Sequence, residues 1–242
     1  MTRWFDISRE LTTGLQGRDE AWQFIRGYAE HWAEGLSEGD GEGDGDGWGE
    51  LEIAGAAGRL GVALPAALRE AYALLGRRPD LTSNNDVLLD PDELYLDDEG
   101  TALVFRHENQ GAASWGILVA DLAHPDPPVV VRADLADKQA ERWEPWLDRL
   151  SLALVEIVLS ESLHAPEELC DVRCDLTEDD LARVGRHAAP LPFPNAPGTH
   201  WYLAPDALLR DDGATLLVRS RTEKALDRIR DDLPGDWLND LR

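Results

Sequence analysis

Three short apolar runs separated by polar breaks dominate the middle of the chain. Residues 103–105, 115–119 and 129–131 have the length and the β-branched or aromatic content of strands. Asn, Gln and Gly at 109–111 are typical of a turn, and the two prolines within 126–128 cannot donate hydrogen bonds to a β-ladder. The pattern therefore predicts an antiparallel meander of three strands.

A helix is predicted upstream of this meander. Trp22, Ile25, Ala29, Trp32 and Leu36 follow one another at spacings of three and four residues, which places them on one helical face. Asp19 stands just before this stretch and is predicted to cap the helix. We interpret the aromatic face as facing a core, because tryptophans at helical spacing more often cover a sheet or another helix than form a recognition stripe.

Two more helices are predicted between the first helix and the meander. One covers residues 51–60 and ends at Gly61. The next begins at Pro65, which suits a first helical turn, and ends at Gly76 in the left-handed conformation. Residues 77–94 are rich in turn formers and are predicted to form a long surface connection, which ends at a short strand at residues 94–96.

A strongly apolar helix is predicted after the meander. Residues 152–159 are apolar on most sides, so this helix should be deeply buried and packed across the three strands. The apolar density falls after Ala165. Further on, the pattern predicts strands at 201–205 and 214–219, followed by a helix capped by Ser220.

Glycine alternates with acidic residues between 37 and 49, where nothing apolar occurs before Trp48. Such a composition cannot bury enough surface to fold alone and predicts a flexible linker. The alternation is similar to the ligand spacing of a calcium loop. However, the twelfth position counted from Asp40 or Glu42 is Leu51 or Ile53 instead of the required glutamate. We therefore expect no metal site in this segment.

These elements predict an α+β fold, with a single, mainly antiparallel sheet flanked by helices and a strand-strand-helix extension at the C-terminal end. The chain divides into an N-terminal amphipathic helix region (1–36), the acidic linker (37–49), a core (50–165) and the C-terminal extension (166–242), which we expect to pack on the core.

Charge narrows the classes of partner. The 242 residues include 48 Asp and Glu against 23 Lys and Arg, a net charge of −25. This balance argues against nucleic acid and anionic membranes as partners and favours a basic protein. The chain has no long apolar run and its first residues lack the features of a signal peptide, so we expect a cytoplasmic protein.

Candidate catalytic and metal-binding groups are few. Cys170 and Cys174 are four residues apart, but no histidine pair accompanies them, so we expect unligated thiols rather than a zinc site. His107 and Glu108 place a base beside an acid, yet neighbours along a strand point to opposite faces. No glycine-rich nucleotide-binding motif occurs. We therefore expect neither a cofactor nor an enzyme.

Several short features between residues 50 and 165 together resemble a known family. They occur in a fixed order: the helix entry Leu64-Pro65, the turn Asn109-Gln110-Gly111, Trp115-Gly116, the break Asp126-Pro127-Pro128 and the apolar helix from Ser151 to Leu163. In order and spacing they resemble the SUKH superfamily, which includes SMI/KNR-type regulators of cell-wall synthesis and bacterial immunity proteins that neutralise polymorphic toxins. The resemblance implies an α+β fold with one sheet, no cofactor and a protein-binding role.

Three functions remain open at this point: an immunity protein that binds a basic toxin domain, a cytoplasmic regulatory or scaffold module, and an unrecognised hydrolase. The charge favours the first, and the third lacks a readable nucleophile and base. As the partner-binding surface we predict Glu108, Asn109, Gln110 and Asp126, with Trp115 if it faces outward, although we favour a core position for Trp115. Because such turn positions are usually exposed, charge reversal at Glu108 and Asp126 should leave the fold intact.

Overall fold

The computed structural model describes residues 5–13, 15–36, 45–192 and 198–239. The chain forms two compact units, one made of Gln16–Val158 and the other of Met1–Leu15 together with Leu159–Arg242. The predicted fold class is confirmed, because helices accompany antiparallel sheets, one of six strands and one of five.

Four helices precede the sheet in the described part of the Gln16–Val158 unit. Its elements in order are α2 (Arg18–Trp32), α3 (Glu50–Leu60), α4 (Ala66–Leu75), α5 (Pro79–Thr82), β1 (Val87–Leu88), β2 (Tyr95–Leu96), β3 (Ala102–His107), β4 (Ala113–Leu118), β5 (Val129–Ala133), β6 (Glu144–Leu147) and the start of α6 (Leu150–Glu161); the short helix α1 (Ile7–Thr12) belongs to the other unit.

The predicted meander is confirmed. β3 and β5 are three and two residues longer than predicted, and β4 begins two residues earlier and ends one residue earlier, at Leu118. The strand order is β1-β3-β4-β5-β6, and β2 also pairs with β3. Within the meander Leu103 is opposite Ile117 and Trp115 is opposite Val131, both in antiparallel register. β1 and β2 lie within or beside the stretch predicted as a surface connection, which also contains α5. β2 agrees with the short strand predicted at residues 94–96. β1 was not predicted, because a strand of two residues is too short to produce a periodic signal.

The helix ends agree only in part with the predicted caps. α3 ends as predicted at Gly61, which has a φ of 69°. The predicted cap of α2 is wrong, because the helix begins at Arg18 after Gly17 and Asp19 lies within it. The helix ends at Trp32, so Leu36 does not belong to its apolar face. At the end of α4, Gly76 has a φ of −65°, so the predicted left-handed conformation is wrong. Glycine is needed there for another reason, since a Cβ at Gly76 would lie 2.5 Å from Cδ1 of Trp48.

Trp48 ties the end of the predicted acidic linker to α4. Its backbone N–H donates to the Tyr72 carbonyl at 2.8 Å and its indole N–H donates to the Gly76 carbonyl at 3.0 Å. The Arg77 guanidinium lies 4.3 Å from the centroid of the Trp48 ring. Residues 45–49 are therefore anchored, while residues 37–44 of the predicted linker lie outside the described residues.

The predicted burial of the apolar helix α6 is confirmed. Leu150, Ala153, Leu154 and Ile157 are fully buried, as are the apolar residues that follow them. The division between the two units falls within this helix, after Val158.

The other unit contains a five-stranded antiparallel sheet, three strands more than the extension was predicted to have. Its elements are α1, β7 (Cys170–Cys174), α7 (Glu178–His187), β8 (Ala189–Pro190), β9 (His200–Ala204), β10 (Ala207–Asp211), β11 (Thr215–Ser220) and α8 (Glu223–Asp232), and the strand order is β7-β11-β10-β9-β8. Val184 of α7 and Leu226 of α8 belong to the core on one face of this sheet. The predicted cap of the last helix is wrong, because Thr222 caps α8 and Ser220 lies in β11.

β7 was not predicted from the sequence because it contains two charged residues. Asp171 and Arg173 give this segment the appearance of a surface loop, yet both are buried. Asp171 pairs with Arg230 of α8 at 2.6 Å, and Arg173 pairs with Asp180 of α7 at 2.7 Å. Charges can be buried only when they are paired in this way, and the partners lie too far along the chain to be recognised from the pattern.

Candidate functional site

One face of the six-stranded sheet carries a group of aromatic and polar side chains. Strand register places Val87 opposite His107, His107 opposite Ser114 and Ser114 opposite Arg132, so these four share one side of the sheet. Tyr95 is opposite Val104. A bulge between Val104 and Arg106 places Val104 on the same side of the sheet as His107, and the Tyr95 ring stacks on His107. We call Val87, Tyr95, His107, Ser114, Arg132 and Trp143 the open face, since Val87 and Tyr95 are 41% and 36% exposed.

Three of these residues form a chain of hydrogen bonds. The rings of Tyr95 and His107 stack with centroids 5.6 Å apart, and the Tyr95 hydroxyl lies 3.1 Å from His107 Nε2. The other ring nitrogen, Nδ1, lies 3.0 Å from Ser114 Oγ. Burial lowers the pKa of His107, which leaves the imidazole neutral at neutral pH. Both ring nitrogens of His107 have hydrogen-bond partners, and the contact with His107 holds the Tyr95 ring in one orientation.

A second group is built around the buried carboxylate of Asp97. This carboxylate accepts hydrogen bonds from the indole N–H of Trp143 at 2.8 Å, from the amide and hydroxyl of Thr101 and from the amide of Ala102. Burial alone would raise the pKa of Asp97, but these hydrogen bonds outweigh it and the pKa lies below its usual value. Asp97 is therefore a fixed anion that orients the Trp143 ring.

Arg132 completes this second group. Its guanidinium lies 4.8 Å from the centroid of the Trp143 ring and 3.5 Å from the Asp97 carboxylate. Gly116 provides the space for the ring, because a Cβ at this position would come within 3.2 Å of it. Tyrosine, tryptophan and arginine are the residue types that contribute most to protein interfaces, and here all three are held in place before any partner binds.

The predicted surface residues lie in three different environments. Glu108, Asn109 and Gln110 form the turn between β3 and β4, beside the His107–Ser114 end of the open face. The Glu108 carboxylate accepts hydrogen bonds from the amides of Gln110 and Ala112 at 2.8 and 2.9 Å, so it shapes its own turn. Asn109 and Gln110 are exposed. Only this part of the predicted surface adjoins the open face.

Trp115 lies on the opposite side of the sheet from the open face, the side that also holds Ile117. It is half-buried, with the Arg106 guanidinium 4.6 Å from its ring centroid and the Trp146 ring in edge contact at 5.8 Å. Its indole N–H is buried without a hydrogen-bond partner among the described residues. Trp115 is therefore only partly buried, and it lies on the other side of the sheet from the aromatic residues of the open face.

Asp126 is not an exposed turn residue, and the prediction that it is exposed is wrong. Only 8% of the residue is accessible, and its carboxylate accepts hydrogen bonds from the amide and the hydroxyl of Ser151 at 2.8 and 2.6 Å. It therefore caps the first turn of α6 from a distant part of the chain. The expectation that charge reversal at Asp126 leaves the fold intact is overturned for the same reason.

The described residues offer little support for metal binding or thiol chemistry. No group of three or more His, Cys, Asp or Glu side chains in the described part of the chain is arranged to hold a metal ion. Cys170 and Cys174 are free thiols on β7 rather than on a helix, the first buried and the second exposed. Burial raises the pKa of Cys170 to about 12, which makes it a poor nucleophile.

Ser114 beside a neutral His107 has the composition of a nucleophile and its base. The second nitrogen of the imidazole meets a phenol hydroxyl rather than an orienting carboxylate. We therefore interpret the trio as a network that positions the Tyr95 ring. The sequence predicted a strand that contains Tyr95, but it did not show that this strand pairs with β3 and so brings Tyr95 to His107, twelve residues away.

Comparison with protein-family models, with curated proteins and with solved structures found no match. Within residues 5–13, 15–36, 45–192 and 198–239, no helix combines the length and the apolar character that crossing a membrane requires.

Proposed function

We propose that this chain is a non-enzymatic protein-binding domain that acts as a bacterial immunity protein and neutralises a toxin by direct binding. The observation that carries the proposal is the open face, where Tyr95, Trp143 and Arg132 are held by hydrogen bonds and ring contacts on an accessible side of the sheet. The resemblance of residues 50–165 to the SUKH superfamily gives the proposal its biological setting.

Pre-organisation supports binding as the role of this face. A partner that meets flexible side chains must offset about 0.5–1.5 kcal/mol of lost rotamer freedom for each one that it immobilises. Tyr95 and Trp143 avoid most of this cost, because His107 and Asp97 already fix their rings. A surface that serves only solubility has no need for such fixed aromatic groups.

A regulatory or scaffold module of the SMI/KNR type would use the same face for a different partner. The two functions differ in the genomic setting of the gene, because an immunity gene accompanies the gene of the toxin that it neutralises. The neighbouring toxin domain is therefore the partner to test first.

The test measures binding of the purified chain to the toxin domain encoded beside it, by calorimetry or biolayer interferometry. Tyr95→Ala and Trp143→Ala should each weaken binding about 30-fold, which corresponds to a hot-spot loss of about 2 kcal/mol. The matched control is Leu51→Ala, since Leu51 is an apolar residue of α3 that is 89% exposed and lies outside the open face. It should leave the affinity unchanged.

Each contrary result removes a different part of the proposal. If both aromatic variants bind as tightly as the unmodified chain, the open face is not the binding surface. If the unmodified chain does not bind the toxin domain, the immunity function is wrong and the regulatory module takes its place. Circular dichroism of each variant checks that the fold is retained.

A further inference from the structure

The edge strand β7 of the five-stranded sheet is long enough to pair with another strand. It has five residues, and among the described strands only β11 pairs with it. The opposite edge is formed by β8, which has two residues, one of them Pro190. A short edge strand with a proline is a poor template for a further strand, whereas a longer one presents a row of backbone N–H and C=O groups. The edge of β7 therefore needs a protection that the edge of β8 does not need.

The charged residues of β7 do not protect its edge. Many proteins prevent pairing at an edge strand by means of exposed charges. The charges of β7 are instead directed at the helices, where Asp171 pairs with Arg230 of α8 and Arg173 pairs with Asp180 of α7. Both residues are buried, so neither charge opposes an approaching strand.

Residues 237–239 cover the edge of β7, and we call them the edge segment. The backbone N–H of Leu238 donates to the Val172 carbonyl at 2.9 Å. The side-chain amide of Asn239 donates to the Cys170 carbonyl at 3.4 Å. Both carbonyls therefore already have the hydrogen-bond donors that a further strand would supply.

The buried carboxylate of Asp171 joins the edge segment to β7 and α8. Its Oδ1 accepts hydrogen bonds from the backbone N–H of Val172 at 2.8 Å and from that of Asn239 at 2.9 Å. Its Oδ2 lies 2.8 Å from Nε and 2.6 Å from a terminal nitrogen of Arg230. The Val172 N–H is thus also occupied, and the edge is satisfied without a further strand.

Trp237 anchors the edge segment at one end. It is buried in the apolar core between the sheet and the helices, and its indole N–H donates to the Leu233 carbonyl at 3.0 Å. An antiparallel bridge pairs it with Arg173 of β7. The chain passes close to Arg173 on the way, because a Cβ at Gly235 would lie 2.5 Å from its Nε. Leu238, by contrast, is 71% exposed and contributes through its backbone.

We infer that the edge segment keeps β7 closed to a second copy of this chain, and that two copies pair through antiparallel β7 strands when the segment is released. Two identical antiparallel strands can pair about a two-fold axis, because such a contact is self-complementary. The closure depends mainly on the backbone donors of Leu238 and Asn239. This role is independent of the proposed binding to a toxin domain.

The test compares two double variants of the full chain by sedimentation velocity over a range of concentrations. Leu238→Pro with Asn239→Pro removes both backbone donors of the edge segment. Its apparent mass should rise toward twice that of the unmodified chain as the concentration increases. Leu238→Ala with Asn239→Ala keeps both donors, and this control should sediment as a monomer, as the unmodified chain should.

A second pair of variants applies if the prolines displace Trp237 and unfold the unit. A chain that ends at Trp237 lacks both donors but keeps the anchor, and it should associate in the same way. A chain that ends at Asn239 is its control and should remain monomeric. Circular dichroism checks that each variant is folded.

Pulsed EPR locates the contact between the two copies. Cys174 of β7 has an exposed thiol and the Cys170 thiol is buried, so a nitroxide reagent labels Cys174 selectively. In a pair of β7 strands the two labels should lie within about 25 Å of each other, since five residues of a strand span about 17 Å.

Three results would overturn the inference. The proline variant and the chain that ends at Trp237 could both remain folded monomers at every concentration. The alanine control or the unmodified chain could associate as strongly as the proline variant, which would mean that the backbone donors of the edge segment close nothing. The labels could lie farther apart than about 25 Å in the associated variant, which would place the contact outside β7.

Discussion

Replacement of Asp126 by alanine should destabilise the Gln16–Val158 unit strongly, in contrast to what an exposed loop residue would do. The carboxylate accepts one hydrogen bond from the Ser151 amide and one from the Ser151 hydroxyl, and Ser151 is completely buried. Alanine removes both acceptors at once. The first turn of α6 then keeps a buried N–H group and a buried hydroxyl group without the carboxylate that accepts their hydrogen bonds.

The size of the effect follows from these two losses. Removing a helix cap costs about 0.5–2 kcal/mol. Leaving a buried polar group without its partner costs about 1–3 kcal/mol. The two costs overlap, because the Ser151 amide is counted in both, so we expect a decrease of about 2–4 kcal/mol in the free energy of unfolding. Asp126→Asn keeps an acceptor for the amide and should cost about half as much.

Urea unfolding followed by circular dichroism measures the free energy, and hydrogen exchange at the Ser151 amide reports the cap directly. Asp148→Ala is the matched control, because it removes an exposed carboxylate two residues before α6 begins. The control should change stability by less than about 0.5 kcal/mol. The reasoning fails if Asp126→Ala and Asp148→Ala unfold at the same urea concentration, or if the Ser151 amide keeps its protection in the alanine variant.

Two further predictions concern the anchored end of the acidic segment and the histidine of the open face. Gly47→Ala should destabilise the chain by more than about 2 kcal/mol, because its Cβ would overlap the Ala73 carbonyl. Gly58→Ala, inside α3 with open space around it, should stabilise by about 0.5–1 kcal/mol, and equal melting temperatures for the two variants would contradict the anchoring. The lowered pKa of His107 means that the unfolded chain takes up a proton first, so stability should fall as pH drops below about 6.5 and level off below the folded pKa. The free energy of unfolding, measured with urea between about pH 7 and about pH 5, should depend less on pH in His107→Gln than in the unmodified chain. Parallel curves for the two proteins would disprove the lowered pKa of His107.

Local patterns in the sequence were sufficient to predict the meander, the end of α3 and the burial of α6. Each depends on residues that are close along the chain. The strands β3, β4 and β5 are recognisable because apolar β-formers alternate with turn residues, and α3 ends where Gly61 allows a positive φ. The apolar character of α6 is likewise complete within one segment.

Only the tertiary structure decided which groups meet across long separations. Asp97 reaches the Trp143 indole across 46 residues, and Asp126 reaches Ser151 across 25. Asp126 looked like an exposed turn residue because nothing near it in sequence indicates that a helix needs its carboxylate. Asp171, in turn, looked too polar for a buried strand until Arg230 of α8 was seen to neutralise it. The burial of a polar side chain can be recognised only when its partner is known. The fold determines that partner, because residues that are far apart along the chain come into contact only when the strands and helices pack.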